Sequence, residues 1–140
     1  MKKFDTVAQL DEWGCGVACV ASLLGISYRE AYWYLREEKG EAINRGTPGL
    51  EPHHIALALQ KWKVKVVMDW EESNDFPNGT IVCVEGSEPY DGCHYILRTP
   101  YGWTDPWVNM DTPNEARRAE HIESYPEGTW FLFALIPITG

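Results

Sequence analysis

The sequence predicts an α+β fold in which N-terminal helices pack on a C-terminal antiparallel sheet. Two observations carry this. Between residues 15 and 62, apolar side chains recur at helical spacing and are punctuated by Gly and Pro where helices end or begin. From residue 64 onward the apolar runs are short, rich in β-branched and aromatic residues, and bounded by turn formers. Helical and strand patterns are thus segregated rather than alternating, as in α+β proteins and unlike βαβ ones. The 140 residues fit one compact domain with one core, and no repeat, low-complexity tract or linker divides them, so 1–140 is read as a single domain.

The elements follow in order. Cys15 to Leu24 reads as a first helix, ended by Gly25. Ser27 and Glu30 have the spacing of a capping box, opening a second helix to about Lys39 with Gly40 as terminator. The stretch 40–49, GEAINRGTPG, is expected to be a loop. Glu51-Pro52 starts a third helix, with proline in the first turn where its missing N–H costs nothing, and Ile55, Leu59 and Trp62 mark its buried face. KVKVVM alternates with period two and reads as a strand. GTIVCVEG (79–86), HYILR (94–98), WTD (103–105) and TWFLFALIPI (129–138) are further strands. Thr99-Pro100-Tyr101-Gly102 is a good hairpin turn between HYILR and WTD. Residues 106–128 are expected to be irregular, with a short helix near Glu115 to Glu120.

Charge narrows the function classes. Lysines and arginines number 12 against 21 aspartates and glutamates, a formal charge of −9 with no basic block, so nucleic acid is not an expected partner. No apolar run approaches the roughly 20 residues of a membrane helix, so no membrane span is expected. The N-terminus has two lysines but no apolar segment after them, so no secretory leader is read and the cytoplasm is the expected compartment. On that basis Cys15, Cys19, Cys83 and Cys93 are expected to be free thiols, and one helical turn between Cys15 and Cys19 suits a disulfide poorly.

Cys15 is the centre of the candidate chemistry. Thiol catalysis needs a thiolate, a base, a group that orients the base, and donors for an oxyanion. A helix N-terminus favours the thiolate, and Gly14 and Gly16 leave little bulk around it. Asp11 and Glu12 oppose it, so a cationic partner is required. His94 is the best such partner, because it begins a strand, whereas His53 and His54 open the third helix and His121 lies in a polar stretch. Asp105 lies across the predicted hairpin and can orient the imidazole if the register puts both on one face. Gln9 supplies an amide six residues before Cys15 that, with the Cys15 N–H, can meet an oxyanion.

Other residues have plainer readings. Cys19 and Cys83 are core packing. Cys15, Cys19, Cys93 and His94 have the composition of a Cys₃His zinc site, but Cys-x₃-Cys within a helix lacks the usual knuckle geometry, so neither a metal nor any other cofactor is expected. Trp103 and Trp107 flank Asp105, either as packing or as walls of a substrate groove.

Gln9, Cys15-Gly16-Val17-Ala18-Cys19, His94-Tyr95-Ile96-Leu97 and Asp105-Pro106, in that order, resemble the bacteriocin-processing, double-glycine peptidases, a family of papain-like cysteine peptidases. The resemblance spans most of the chain. It implies a papain-like fold with Cys15 as nucleophile, His94 as general base, Asp105 as its orienter and Gln9 as oxyanion donor. The implied substrate is a peptide or protein, and a cut after Gly-Gly would fit the family. Cys93 directly before His94 and Trp13-Gly14 before Cys15 depart from the family pattern. The same residues also serve a papain-like deamidase, a transglutaminase-like enzyme or an isopeptidase, and stand-alone members of the family can be non-catalytic peptide-binding modules.

Overall fold

A computed structural model describes residues 2–11, 14–39, 51–87, 93–112 and 114–138, with backbone alone at 37–39. The described residues form helices α1 (Cys15–Leu24), α2 (Tyr28–Lys39) and α3 (Pro52–Gln60), then strands β1 (Lys65–Asp69), β2 (Ile81–Gly86), β3 (His94–Thr99), β4 (Gly102–Asp105), β5 (Glu120–Ile122) and β6 (Thr129–Ile138). The strands make one sheet in the order β1-β6-β2-β3-β4-β5, antiparallel at every pairing. The α+β class and the segregation of helices from strands are as expected from the sequence. The expected loop at 40–49 and the Gly40 terminator lie outside the described residues.

The helices form where local chemistry stops and starts them. α1 ends because Gly25 adopts φ 69° and turns its N–H back onto the last carbonyls of the helix. A Cβ at Gly25 would lie 2.8 Å from the Lys3 backbone nitrogen, so the N-terminal segment presses on that turn. Ser27 Oγ accepts the Glu30 N–H at 3.1 Å, the first half of the expected cap on α2. α3 has a cap of another kind: the Glu51 side chain meets the N3 backbone, and His54 Nδ1 accepts the Glu51 N–H at 3.2 Å.

The sheet is covered on both sides. Ile81, Cys83, Tyr95, Leu97, Phe133 and Leu135 face the helices, while Val82, Val84, Ile96, Trp103 and Ala134 pack with Phe76 on the other face. Double cover explains why β2 and β3 read as nearly continuous apolar runs instead of alternating ones. α1 is buried from Cys15 through Leu23 because it lies between β3 and the other helices, and its small residues allow that close approach.

Three expectations are corrected. Trp62 does not join the buried face of α3: the helix ends at Gln60, Ala58 packs beside Ile55 and Leu59, and Trp62 is 37% exposed, edge-on to Tyr34. Residues 115–120 form no helix. The chain instead runs into β5, which pairs Thr104 with His121 and so covers the outer edge of β4. The thiols are not all free. Cys83 stands opposite Tyr95 and Val84 opposite His94, so Cys93 falls diagonally beside Cys83 with Cα atoms 5.5 Å apart, and the two form a disulfide. Cys15 and Cys19 remain thiols. Among the described residues no helix is long and apolar enough to cross a membrane.

The contrast at α3 is measurable. Leu59→Ala leaves a hole in the core and is expected to cost about 2–5 kcal/mol, whereas Trp62→Ala removes a half-exposed ring and should cost under about 2 kcal/mol. Urea unfolding of both variants checks the ranking, and an equal or inverted order contradicts the burial assigned to Trp62.

Candidate active site

The site begins with the way the chain enters α1. Gly14 is the N-cap residue, and no side chain caps the first-turn N–H groups of the helix. Glycine is required by crowding: a Cβ at Gly14 would collide with the Tyr28 hydroxyl and lie 3.2 Å from the Asp11 carbonyl. That hydroxyl donates to Asp11 Oδ2 at 2.7 Å and accepts the Asp11 N–H at 3.3 Å. Burial, reinforced by the Asp11 carboxylate, pushes the Tyr28 hydroxyl up and keeps it a donor. Asp11, read from sequence only as an unhelpful charge near sulfur, is therefore part of a latch between this segment and α2.

Within the latched segment Gln9 is buried. Its Nε2 donates to the Asp11 carbonyl at 3.0 Å, and its N–H donates to the Pro106 carbonyl at 3.2 Å. The second bond joins the Gln9 segment to the Asp105-Pro106 turn, which are 97 residues apart in the chain (106 − 9).

The hairpin delivers the other half of the site. Thr99 pairs with Gly102, Arg98 with Trp103 and Leu97 with Thr104, so no bulge shifts the register. Gly102 has φ 114°, and the turn is held by Thr99 Oγ1, which donates to the Gly102 carbonyl at 2.8 Å and accepts the Tyr101 N–H at 3.1 Å. Continuing that register puts Asp105 opposite Ile96, hence diagonal to His94 on the same face. His94 Nε2 and Asp105 Oδ1 are 2.8 Å apart, and Oδ1 also accepts the Trp107 N–H at 3.0 Å. His94 is 4% exposed and Asp105 1%.

Cys15, 6% exposed, comes to the start of β3 from the other direction. Its Sγ donates to the Cys93 carbonyl at 3.9 Å, and its side chain also hydrogen-bonds His94. Because Nε2 is committed to Asp105, Nδ1 is the nitrogen left to serve sulfur. Desolvation alone would lower the His94 pKa. The hydrogen bonds to Asp105 and Cys15, and their negative charges, outweigh it and raise the value from 6.5 to about 10. Cys19 lies one turn further into α1: burial first, then the nearby Cys15 and Asp105, push its thiol well up, so it is a neutral core group.

The structure thus brings Cys15, His94 and Asp105 into one hydrogen-bonded chain and ties the Gln9 segment to its far end. Trp103 spends its ring on the second core cluster with Phe76 and Tyr125, so of the two flanking tryptophans it is Trp107 that touches the site. Among the described residues no group of three or more His, Cys, Asp or Glu could hold a metal ion, and the Cys93 sulfur is bonded to Cys83. The Asp11–Tyr28 latch and the Trp107 N–H were invisible in the sequence. The first pairs residues 17 apart and the second is a backbone donor, so neither carries a local pattern. No protein-family model matches the chain, and comparison with curated proteins finds no match.

His94 gives the site a pH signature. Because folding raises its pKa, the stabilisation is complete below about pH 6.5 and is lost as pH rises through about 10. NMR of the ring protons should therefore show His94 still protonated at neutral pH. Asp105→Asn should weaken its proton affinity at least about tenfold and flatten the loss of stability between neutrality and pH 10. An unchanged titration in that variant rules out Asp105 as the controlling partner.

Proposed function

We propose that this chain is a papain-like cysteine peptidase that cleaves a peptide bond with Cys15 as nucleophile. The observation that carries the reading is the buried chain of hydrogen bonds from Cys15 through His94 to Asp105, beginning on the uncapped N-terminus of α1. A nucleophile, a base and a group that holds the base are the minimal set for acyl transfer by a thiol. Resemblance to the double-glycine peptidases assigns the same residues the same roles, and the α+β arrangement is compatible with it.

The mechanism follows from the positions. His94 holds the proton of Cys15, and the resulting thiolate attacks the substrate carbonyl carbon. Negative charge moves to the carbonyl oxygen, where the Cys15 N–H and the Gln9 amide are the proposed donors. The tetrahedral species collapses as His94 gives its proton to the leaving amine, which departs and leaves a thioester on Cys15. Water then attacks the thioester, gives a proton to His94 and releases the acid, which restores the Cys15 thiolate beside protonated His94. Asp105 accepts Nε2–H throughout, so that Nδ1 is aimed at sulfur. A disulfide-bonded Cys93 does not compete as a second nucleophile.

A Gly-Gly vinyl sulfone tests the assignment. Cys15 should be the residue modified, and His94→Ala should slow modification by roughly 10²- to 10⁴-fold. Labelling elsewhere, or an unchanged rate in His94→Ala, sinks the reading. With peptide substrates, two products whose masses sum to that of the substrate plus one water indicate cleavage. A single product heavier by about one mass unit indicates deamidation by the same residues.

A further inference from the structure

A second set of contacts surrounds the proposed site, centred on a residue that none of the reading above uses. Arg117 lies between β4 and β5. Its guanidinium carbon sits 4.6 Å from the centre of the Trp107 ring, and its Nη1 donates to the Leu10 carbonyl at 3.1 Å. Trp107 is the residue whose N–H holds Asp105, and Leu10 is the neighbour of Gln9. One side chain therefore spans the two segments that carry the proposed base-orienting group and the proposed oxyanion donor.

Arg117 is itself held on both sides. Asn109, buried, donates Nδ2–H to the Ala116 carbonyl at 2.9 Å and accepts the Arg118 N–H on Oδ1 at 3.0 Å. The Val108 N–H donates to the Arg118 carbonyl at 2.9 Å. These bonds fix the backbone immediately before and after Arg117, so its side chain leaves from a set place. Arginine suits the task, since a planar guanidinium stacks on an indole while its edge donates hydrogen bonds. The carbonyl that Arg117 meets lies 107 residues away in the chain.

We infer that Arg117 is a positioning residue that pins the Gln9 segment against the Asp105–Trp107 turn, so that donor and base are held in one frame. The inference rests on the proposed roles of Cys15 and Gln9. It predicts a division between two reactions of the same sulfur. Alkylation by iodoacetamide is a displacement at carbon and builds no oxyanion, so it reads the Cys15–His94 pair alone. Acyl transfer builds an oxyanion and also reads the donor.

The probe for acyl transfer is acetyl-Gly-Gly p-nitrophenyl ester, read as the p-nitrophenolate burst that Cys15→Ala abolishes. Arg117→Met keeps an unbranched apolar stem on the indole and removes the charged fork. It should slow the burst by roughly 10- to 100-fold with little change in the substrate concentration for half-saturation. Iodoacetamide should still modify Cys15 within about twofold of the original rate, with the same pH midpoint. Combined with Gln9→Ala, Arg117→Met should add no more than about a further twofold, because both changes disable the same donor.

An Arg117→Met burst at the original rate overturns the inference, as does a full multiplicative effect on top of Gln9→Ala. A parallel fall in alkylation also overturns it, by placing Arg117 with the base or the general fold. If the unaltered protein shows no Cys15-dependent burst, the peptidase reading fails and the inference fails with it. A normal burst that Arg117→Met leaves untouched removes only the inference.

Discussion

The bond on which the rest of the site depends is the one between His94 and Asp105. Two ionisable side chains lie almost completely out of water, 2.8 Å apart, at the end of a β-hairpin. Neither would be tolerated there alone: removing one partner of a buried pair commonly costs about 3–5 kcal/mol, because the other is left as an uncompensated charge. The pair therefore constrains the hairpin as strictly as any apolar contact. A slip of one residue between β3 and β4 would put His94 and Asp105 on opposite faces and orphan both. The turn chemistry at Thr99 and Gly102 and the Trp107 N–H on Oδ1 guard the same register from its two ends.

α1 meets this constraint from the opposite side. It is a poor helix by amphipathicity, with apolar and small residues all round, and it survives by being enclosed between β3 and the other helices. Enclosure is what lets its first residue reach the start of β3 while its glycine N-cap leaves the first-turn N–H groups without a side-chain partner. A serine or aspartate at position 14 would be the better cap for stability. There is no room for one, because the Tyr28 hydroxyl occupies that space in order to hold Asp11. Local helix stability has thus been given up in favour of the segment that carries Gln9.

Much of this was legible in the sequence, and the boundary between what was and was not is physical. Helix ends set by Gly25 and Ser27, the Glu51-Pro52 start and the β3–β4 turn are local events, written in residues close to one another. The places of Cys15 at the start of α1 and of Cys19 inside it were also legible, since one turn of helix divides a terminal position from an interior one. Failures came where an outcome depends on register or on distant partners. The Cys83–Cys93 bond follows from how β2 aligns with β3, which no spacing rule supplies. Trp62 continues the period of α3 on paper, but the helix stops two residues earlier. Residues 115–120 have helix-forming composition, yet β4 has an open edge and the chain following them supplies the strand that covers it.

The same distinction explains why the site, unlike the fold, depends on the whole chain. Its parts come from 9–11, 14–15, 93–94 and 105–107, and among the described residues none of these segments bonds the others through a local turn except across the single hairpin. The Gln9 N–H bond to Pro106 and the Cys15 thiol contact with the Cys93 carbonyl close loops of 97 and 78 residues, respectively (106 − 9 and 93 − 15). Contacts of this range form only after the entropy of closing the intervening chain has been overcome, so they come late and together. A chain that lacks these long-range contacts cannot hold Cys15 beside His94. The arrangement of Cys15, His94 and Asp105 is in this sense a property of the completed fold, and the Asp11–Tyr28 latch is one of the contacts that complete it.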